Sequence, residues 1–165
     1  MIVTSEKSGV FNFFDGNQIK GRVVYSGKFS PKAQIIDNEG RVYRIVPLNI
    51  WKTSFELQAE GKALITLKKK WNGTRLSKSL SGTENVEYFF KHAGLFNSRY
   101  VLQDKDAREM VVIKGRFKWK GLKYHYEINL HDSLIRREQY FLWIALTFYL
   151  TRDMMRQHAA GAATI

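Results

Sequence analysis

The sequence predicts a mainly β fold: an antiparallel β-barrel of about 11–12 strands that encloses a hydrophobic C-terminal α-helix. Three observations carry this. Turn signals recur every six to twelve residues between Val10 and Leu130. The runs between them are short and alternate apolar with polar residues, as half-buried strands do. Beyond them, Tyr140–Leu150 is an eleven-residue stretch without charge, flanked by Arg136, Arg137 and Glu138 before it and by Arg152 and Asp153 after it. The 165 residues read as one domain, with strands over about 10–130, a buried helix over about 133–156 and a frayed tail at 157–165.

Val10–Phe14 leads through Asp15-Gly16-Asn17 into Gln18–Tyr25. Lys32–Asp37 and Arg41–Pro47 flank Asn38-Glu39-Gly40, and Ser54–Gln58 and Lys62–Lys69 flank Ala59-Glu60-Gly61. Both connections have hairpin composition. Asn72-Gly73 is a stronger signal still, because both residues tolerate positive φ. Thr74–Leu80, Val86–Lys91, Arg99–Gln103, Glu109–Lys114, Arg116–Lys120 and Leu122–Leu130 follow. In the last of these, Leu122, Tyr124, Tyr126, Ile128 and Leu130 share one face, while Lys123, His125, Glu127 and Asn129 share the other. One face is therefore dry and one wet. Trp51 and Phe96 fall in segments that the pattern assigns to no element.

Read as one helix, Ser133 to Met155 spans roughly 34 Å at 1.5 Å per residue. Phe141, Trp143, Ile144, Leu146, Phe148 and Leu150 cannot share a face, so this helix is apolar all round and must be enclosed. Its apolar length is short of the roughly 20 residues a bilayer needs, which favours enclosure by protein over a membrane anchor at 134–156. A barrel of so many strands is too wide for its own side chains to fill. The helix is the natural filler. Asp132 and Ser133 are the expected N-cap.

Composition bounds the chemistry. There is no cysteine, which excludes disulfides, thiolate metal ligands and a cysteine nucleophile. Met1–Gly9 lacks the pattern of a secretory signal, so the expected location is cytoplasmic, with peripheral contact to a membrane where basic patches engage one. The net charge of +12 is unevenly placed. Residues 1–60 hold 8 basic and 6 acidic residues, 61–125 hold 15 and 5, and 126–165 hold 4 and 4. A segment so basic suits an anionic partner.

Many antiparallel strands followed by one apolar helix that threads the barrel resemble the tubby C-terminal superfamily. That group includes tubby-like proteins, phospholipid scramblases and the plant LURP-one-related proteins. The residues that carry the likeness are Tyr100–Lys114, the strand–turn–strand before Lys120-Gly121, and the helix Tyr140–Leu150. It spans most of residues 10–156 and lies in element order, not in a diagnostic motif. The resemblance implies contact with membranes or phosphoinositides, and in scramblases a lipid-transfer role with calcium and lipidated cysteines. Cysteine lipidation is excluded here, and no Asp/Glu-rich loop of the EF-hand kind is present. No phosphoinositide site transfers residue by residue.

Two constellations are candidate lipid- or phosphate-binding sites. Lys68, Lys69 and Lys70, with Trp71 and Arg75 across the Asn-Gly turn, form a cationic tip bearing an aromatic ring suited to an anionic membrane interface. The competing reading is a solvated hairpin end. Lys114, Arg116, Lys118 and Lys120 share one strand parity, which Lys123 extends past Gly121. Phosphates would relieve their mutual repulsion; the competing reading is an edge strand charged against pairing. Phe117 and Trp119 have the opposite parity, which disfavours a nucleic-acid track, since cations and stacking rings would point apart.

Neither a metal nor a cofactor is expected. His125 and His131 on one strand are about 20 Å apart. Asp104 with Asp106, or Glu84 with Glu87, could pair as acid and base, but both lie in turn-rich stretches. No nucleophile elbow or P-loop is present, and the expectation is a non-enzymatic protein. Its expected partner is an anionic membrane surface or a phosphoinositide. The alternatives are a scaffold for an acidic protein and a lumenal carrier of an apolar ligand.

Overall fold

The computed structural model describes residues 1–7, 9–27, 30–79, 85–94, 99–118, 123–137 and 139–162; for 6, 7, 78, 79, 85, 116–118, 123, 124 and 159–162 it describes the backbone alone. Twelve strands form the wall: β1 Ile2–Lys7, β2 Val10–Asp15, β3 Gln18–Tyr25, β4 Ala33–Asp37, β5 Val42–Pro47, β6 Ser54–Ala59, β7 Lys62–Lys70, β8 Gly73–Ser79, β9 Asn85–Ala93, β10 Arg99–Gln103, β11 Glu109–Lys118 and β12 Lys123–Leu130. Each pairs antiparallel with its sequence neighbours, and β12 returns to β1 to close the barrel. Val3 lies opposite Tyr126, and the terminal amino group donates to the Ile128 carbonyl at 3.3 Å.

Closure depends on β1, which the turn pattern did not mark. It also leaves no sheet edge. β11 runs unbroken through Gly115 and is paired on both sides, with Lys114 opposite Glu127 on β12 and Arg99 on β10. The charged parity of β11 therefore guards no edge, contrary to the competing reading above.

The lumen is filled from the C-terminal segment. A short helix, α1 (Asp132–Ile135), and a break at Arg136, Arg137 and Gln139 turn the chain from the wall onto the axis, and α2 (Tyr140–Ala162) threads the barrel. The single helix expected at 133–156 is thus two, and α2 continues where a frayed tail was expected at 157; residues 163–165 lie outside the described residues. Gln139 takes φ +59°, which ends one helical direction before the other begins. The cap of α1 is His131, whose Nδ1 accepts from the Ser133 N–H at 3.2 Å, so Asp132 and Ser133 lie inside the first turn.

Phe141 through Thr151 are buried without exception. Around them stand the inward residues of the wall, among them Val3, Phe13, Val23, Ile35, Phe55, Leu67, Leu76, Phe90, Ile113 and Tyr126. Phe148 meets Phe11, Phe13 and Tyr126 at ring-centroid distances of 5.1, 5.3 and 5.0 Å. Thr147 and Thr151 are satisfied along the helix, donating to the Trp143 and Thr147 carbonyls at 2.6 and 2.9 Å.

Gly21 shows how closely wall and helix approach. A Cβ there would stand 2.4 Å from two ring atoms of Phe141 and 2.6 Å from the Ile36 carbonyl oxygen.

One turn device occurs twice at the end where α2 begins, here the upper end. Between β4 and β5, Asp37 Oδ1 accepts from the Glu39 and Arg41 N–H groups, and Oδ2 accepts from Arg41 Nε at 2.7 Å. Between β10 and β11, Asp104 makes the same set with Asp106 and Arg108, its Oδ2 accepting from Arg108 Nε at 2.8 Å. Burial works to raise each carboxyl pKa, but the donated hydrogen bonds outweigh it and hold both below the usual range. Asp104 and Asp106 are thus spent on a turn, and the geometry gives them no acid–base partnership.

A cationic barrel mouth between apolar loop tips

The lower end, where α2 emerges, follows from strand parity. Ile65 and Leu67 point into the lumen, so Lys69, two residues on, occupies the same face where the lumen meets solvent. Its Nζ lies 2.6 Å from Asp153 Oδ2 on α2 and 5.0 Å from the Phe55 ring centroid. Two arginines of α2 complete the ring. Arg152 lies 4.7 Å from the Phe11 centroid and donates to the Tyr126 hydroxyl at 3.2 Å. Arg156 lies 5.1 Å from the Tyr25 centroid, donates to the Ser30 carbonyl at 3.1 Å and stands 3.7 Å from Asp153.

Lys69 and Arg156 thus flank the Asp153 carboxylate, Arg152 is held by Phe11 and Tyr126, and aromatic faces support all three cations. Burial pushes the Tyr25 phenol far up, against the pull of Arg152 and Arg156, so it stays neutral. Tyr149 is raised likewise by burial, then by Asp153, and its hydroxyl donates to the Pro31 carbonyl at 2.8 Å. The His92 and His158 rings lie 5.9 Å apart at this mouth; burial, then His158, lowers the His92 pKa.

Around the mouth stand two adjacent hairpin tips. Lys69 N–H donates to the Thr53 carbonyl at 2.8 Å, which holds the β5–β6 connection against the end of β7. That connection is clasped by Asn49, which accepts from the Thr53 N–H at 3.0 Å and donates to Thr53 Oγ1 at 2.8 Å. Lys52 closes the turn with φ +53°. At its apex Ile50 is 85% and Trp51 80% exposed, beside a half-exposed Leu48. On the next hairpin Trp71 is 97% exposed.

The sequence-derived site residues divide accordingly. Lys68 and Lys70 face outward and are exposed, Lys69 is engaged with Asp153, and Arg75 pairs with Glu87 on β9. The turn is centred on Trp71-Asn72, since Lys70 pairs with Gly73. Asn72-Gly73 is displaced from the expected centre for a packing reason: a Cβ on Gly73 would lie 2.3 Å from the Phe90 carbonyl oxygen and 2.6 Å from the Phe89 ring. Lys114 is exposed, four strands away from β7. Arg116, Lys118 and Lys123 lie on β11 and β12, with Lys118 opposite Lys123, but their side chains fall outside the described residues, as does all of Lys120. Of the second cluster only Lys114 is described to its side chain, and it stands apart from Lys68–Lys70.

Sequence reasoning missed Leu48, Ile50, Trp51, Arg152 and Arg156. The signal for the first three was apolar residues inside an Asn-to-Thr turn, where turn chemistry favours polar ones.

The two ends of the barrel differ in charge. Upper connections carry Asp37, Glu39, Glu60, Asp104 and Asp106, balanced by neighbouring cations such as Arg41 and Arg108. The described residues of the lower connections (9, 26, 27, 30–32, 48–53, 71, 72 and 94) include no Asp or Glu. A concavity of about 360 Å³ at the upper end has Lys20, Asp37, Glu39, Arg41, Tyr43 and Phe141 in its lining, where Arg41 pairs with both Asp37 and Glu39.

The outer wall presents Arg22, Arg44, Glu56, Lys68, Glu87, Lys91 and Lys114, with the exposed Ile2, Ile19 and Val42 among them, while the core residues face in. This inverts the pattern of a membrane-spanning barrel, whose outer band is apolar. Among the described residues no helix is long and apolar enough to cross a membrane, and no group of three His, Asp or Glu residues could hold a metal ion. No family model, curated protein or solved structure matches the chain.

Proposed function

We propose that the chain is a non-enzymatic, tubby-like barrel module that binds anionic phospholipid head groups at a membrane surface, with its lower end turned to the lipid. One observation carries this reading: the described lower connections hold no carboxylate, yet Lys52, Lys68 and Lys70 stand exposed around a mouth that already contains Lys69, Arg152 and Arg156. Uncompensated cations on one end of a barrel are a surface for phosphate. The lumen lends no support to a carrier role, because α2 fills it from Phe141 to Thr151.

Lys52→Glu, Lys68→Glu and Lys70→Glu change exposed side chains, so the fold should be unaffected. Lys69 is left alone, since its pair with Asp153 ties β7 to α2. Each lysine near an anionic surface contributes about 1 kcal/mol, so the triple reversal should lower binding to phosphatidylserine vesicles more than about a hundredfold. Co-sedimentation at low salt measures this. Undiminished binding would overturn the site, and no binding by the unaltered protein would leave the same cations to an acidic protein partner.

A further inference from the structure

Apolar residues at a turn apex need an explanation that cations do not supply. Ile50 and Trp51 occupy the two apical positions of a turn closed by the Lys52 N–H on the Asn49 carbonyl at 3.1 Å, and the Asn49–Thr53 clasp fixes that turn from within. Nothing in the wall needs these side chains, which are 85% and 80% exposed. Trp71 repeats the feature on the neighbouring hairpin at 97%. Of eight large hydrophobic residues exposed among the described residues, four (Leu48, Ile50, Trp51 and Trp71) lie on these two tips.

The tips are ringed by lysine. Residues 47–55 and 65–74, the two tips with the strand ends that bear them, contain Lys52, Lys68, Lys69 and Lys70 and not one Asp or Glu. An apolar protein partner would suit the rings but leave the exposed Lys52, Lys68 and Lys70 unanswered. An anionic bilayer answers both, with phosphates at the level of the lysines and acyl chains beyond them.

We propose that Ile50, Trp51 and Trp71, with Leu48 behind them, form a two-pronged wedge that inserts below the head groups of an anionic bilayer and sets the barrel upright on its lower mouth. This rests on the head-group reading above and adds an apolar, salt-resistant component to it. Lysine attraction is screened by salt, whereas burial of the wedge is not.

The test uses the full chain with phosphatidylcholine vesicles, with and without phosphatidylserine, at low salt and at about 0.5 M salt, where surface charges are largely screened. Vesicles with brominated acyl chains report whether indoles reach the hydrocarbon. Part of the binding should survive salt, and brominated lipid should quench fluorescence that is missing in Trp51→Phe/Trp71→Phe. Ile50→Ser/Trp51→Ser should lose the salt-resistant part by about tenfold or more and keep the low-salt attraction. Anionic binding abolished by salt, with no such quenching, would overturn the wedge and leave head-group binding standing. Absence of binding to every vesicle would overturn both.

Discussion

At the residue scale the barrel has positions that tolerate no substitute. Gly21 has φ +152°, and a Cβ there would meet both the Phe141 ring and the Ile36 backbone. Phe141 could swing aside, but the Ile36 carbonyl in the paired strand cannot. Gly21→Ala should therefore destabilise the fold by at least about 2 kcal/mol, read as a lower urea midpoint with unchanged slope. An unchanged midpoint would mean that wall and helix are less closely packed at this point. The direction of Lys69 into the mouth was legible from alternation with Ile65 and Leu67, but its partner was not, because Asp153 is 84 residues away. Asn72-Gly73 misled by one residue: Gly73 serves close approach to Phe90, not positive φ at the turn centre.

At the element scale α2 acts as the core of the barrel. An uncharged stretch with no polar face marked it in the sequence, because only enclosure satisfies such a helix. Its start was not legible, since the break before Gln139 and Tyr140 answers to the geometry of leaving the wall for the axis. β1 was invisible for a related reason: Ile2-Val3-Thr4 is a short run, and its strand character comes from pairing with β12 and β2. The Asp37–Arg41 and Asp104–Arg108 turns could have been found as a matched spacing. Phe148 packs against three rings on β2 and β12, and the closed wall around it cannot readily collapse. Phe148→Ala should cost about 3–5 kcal/mol in chemical denaturation, with one cooperative transition retained. A loss below about 1 kcal/mol would contradict helix and wall forming a single core.

At the scale of the whole molecule the decisive feature is polarity along the barrel axis. The upper end pairs its charges in Asp–Arg turns, whereas the lower end sets Lys69 and Arg156 on one carboxylate, exposes Lys52, Lys68 and Lys70 around them and raises indoles beyond. The excess of basic residues in 61–125 was plain in the sequence; that part of it converges on one mouth depends on strand direction and closure, which composition does not carry. Amide hydrogen exchange with and without phosphatidylserine vesicles tests this orientation most directly. Exchange should slow at 48–53 and 70–73 on adding vesicles, with the upper turns at 37–41 and 104–108 unchanged. Slowing at the upper turns, or none at the lower tips while the protein is bound, would contradict it.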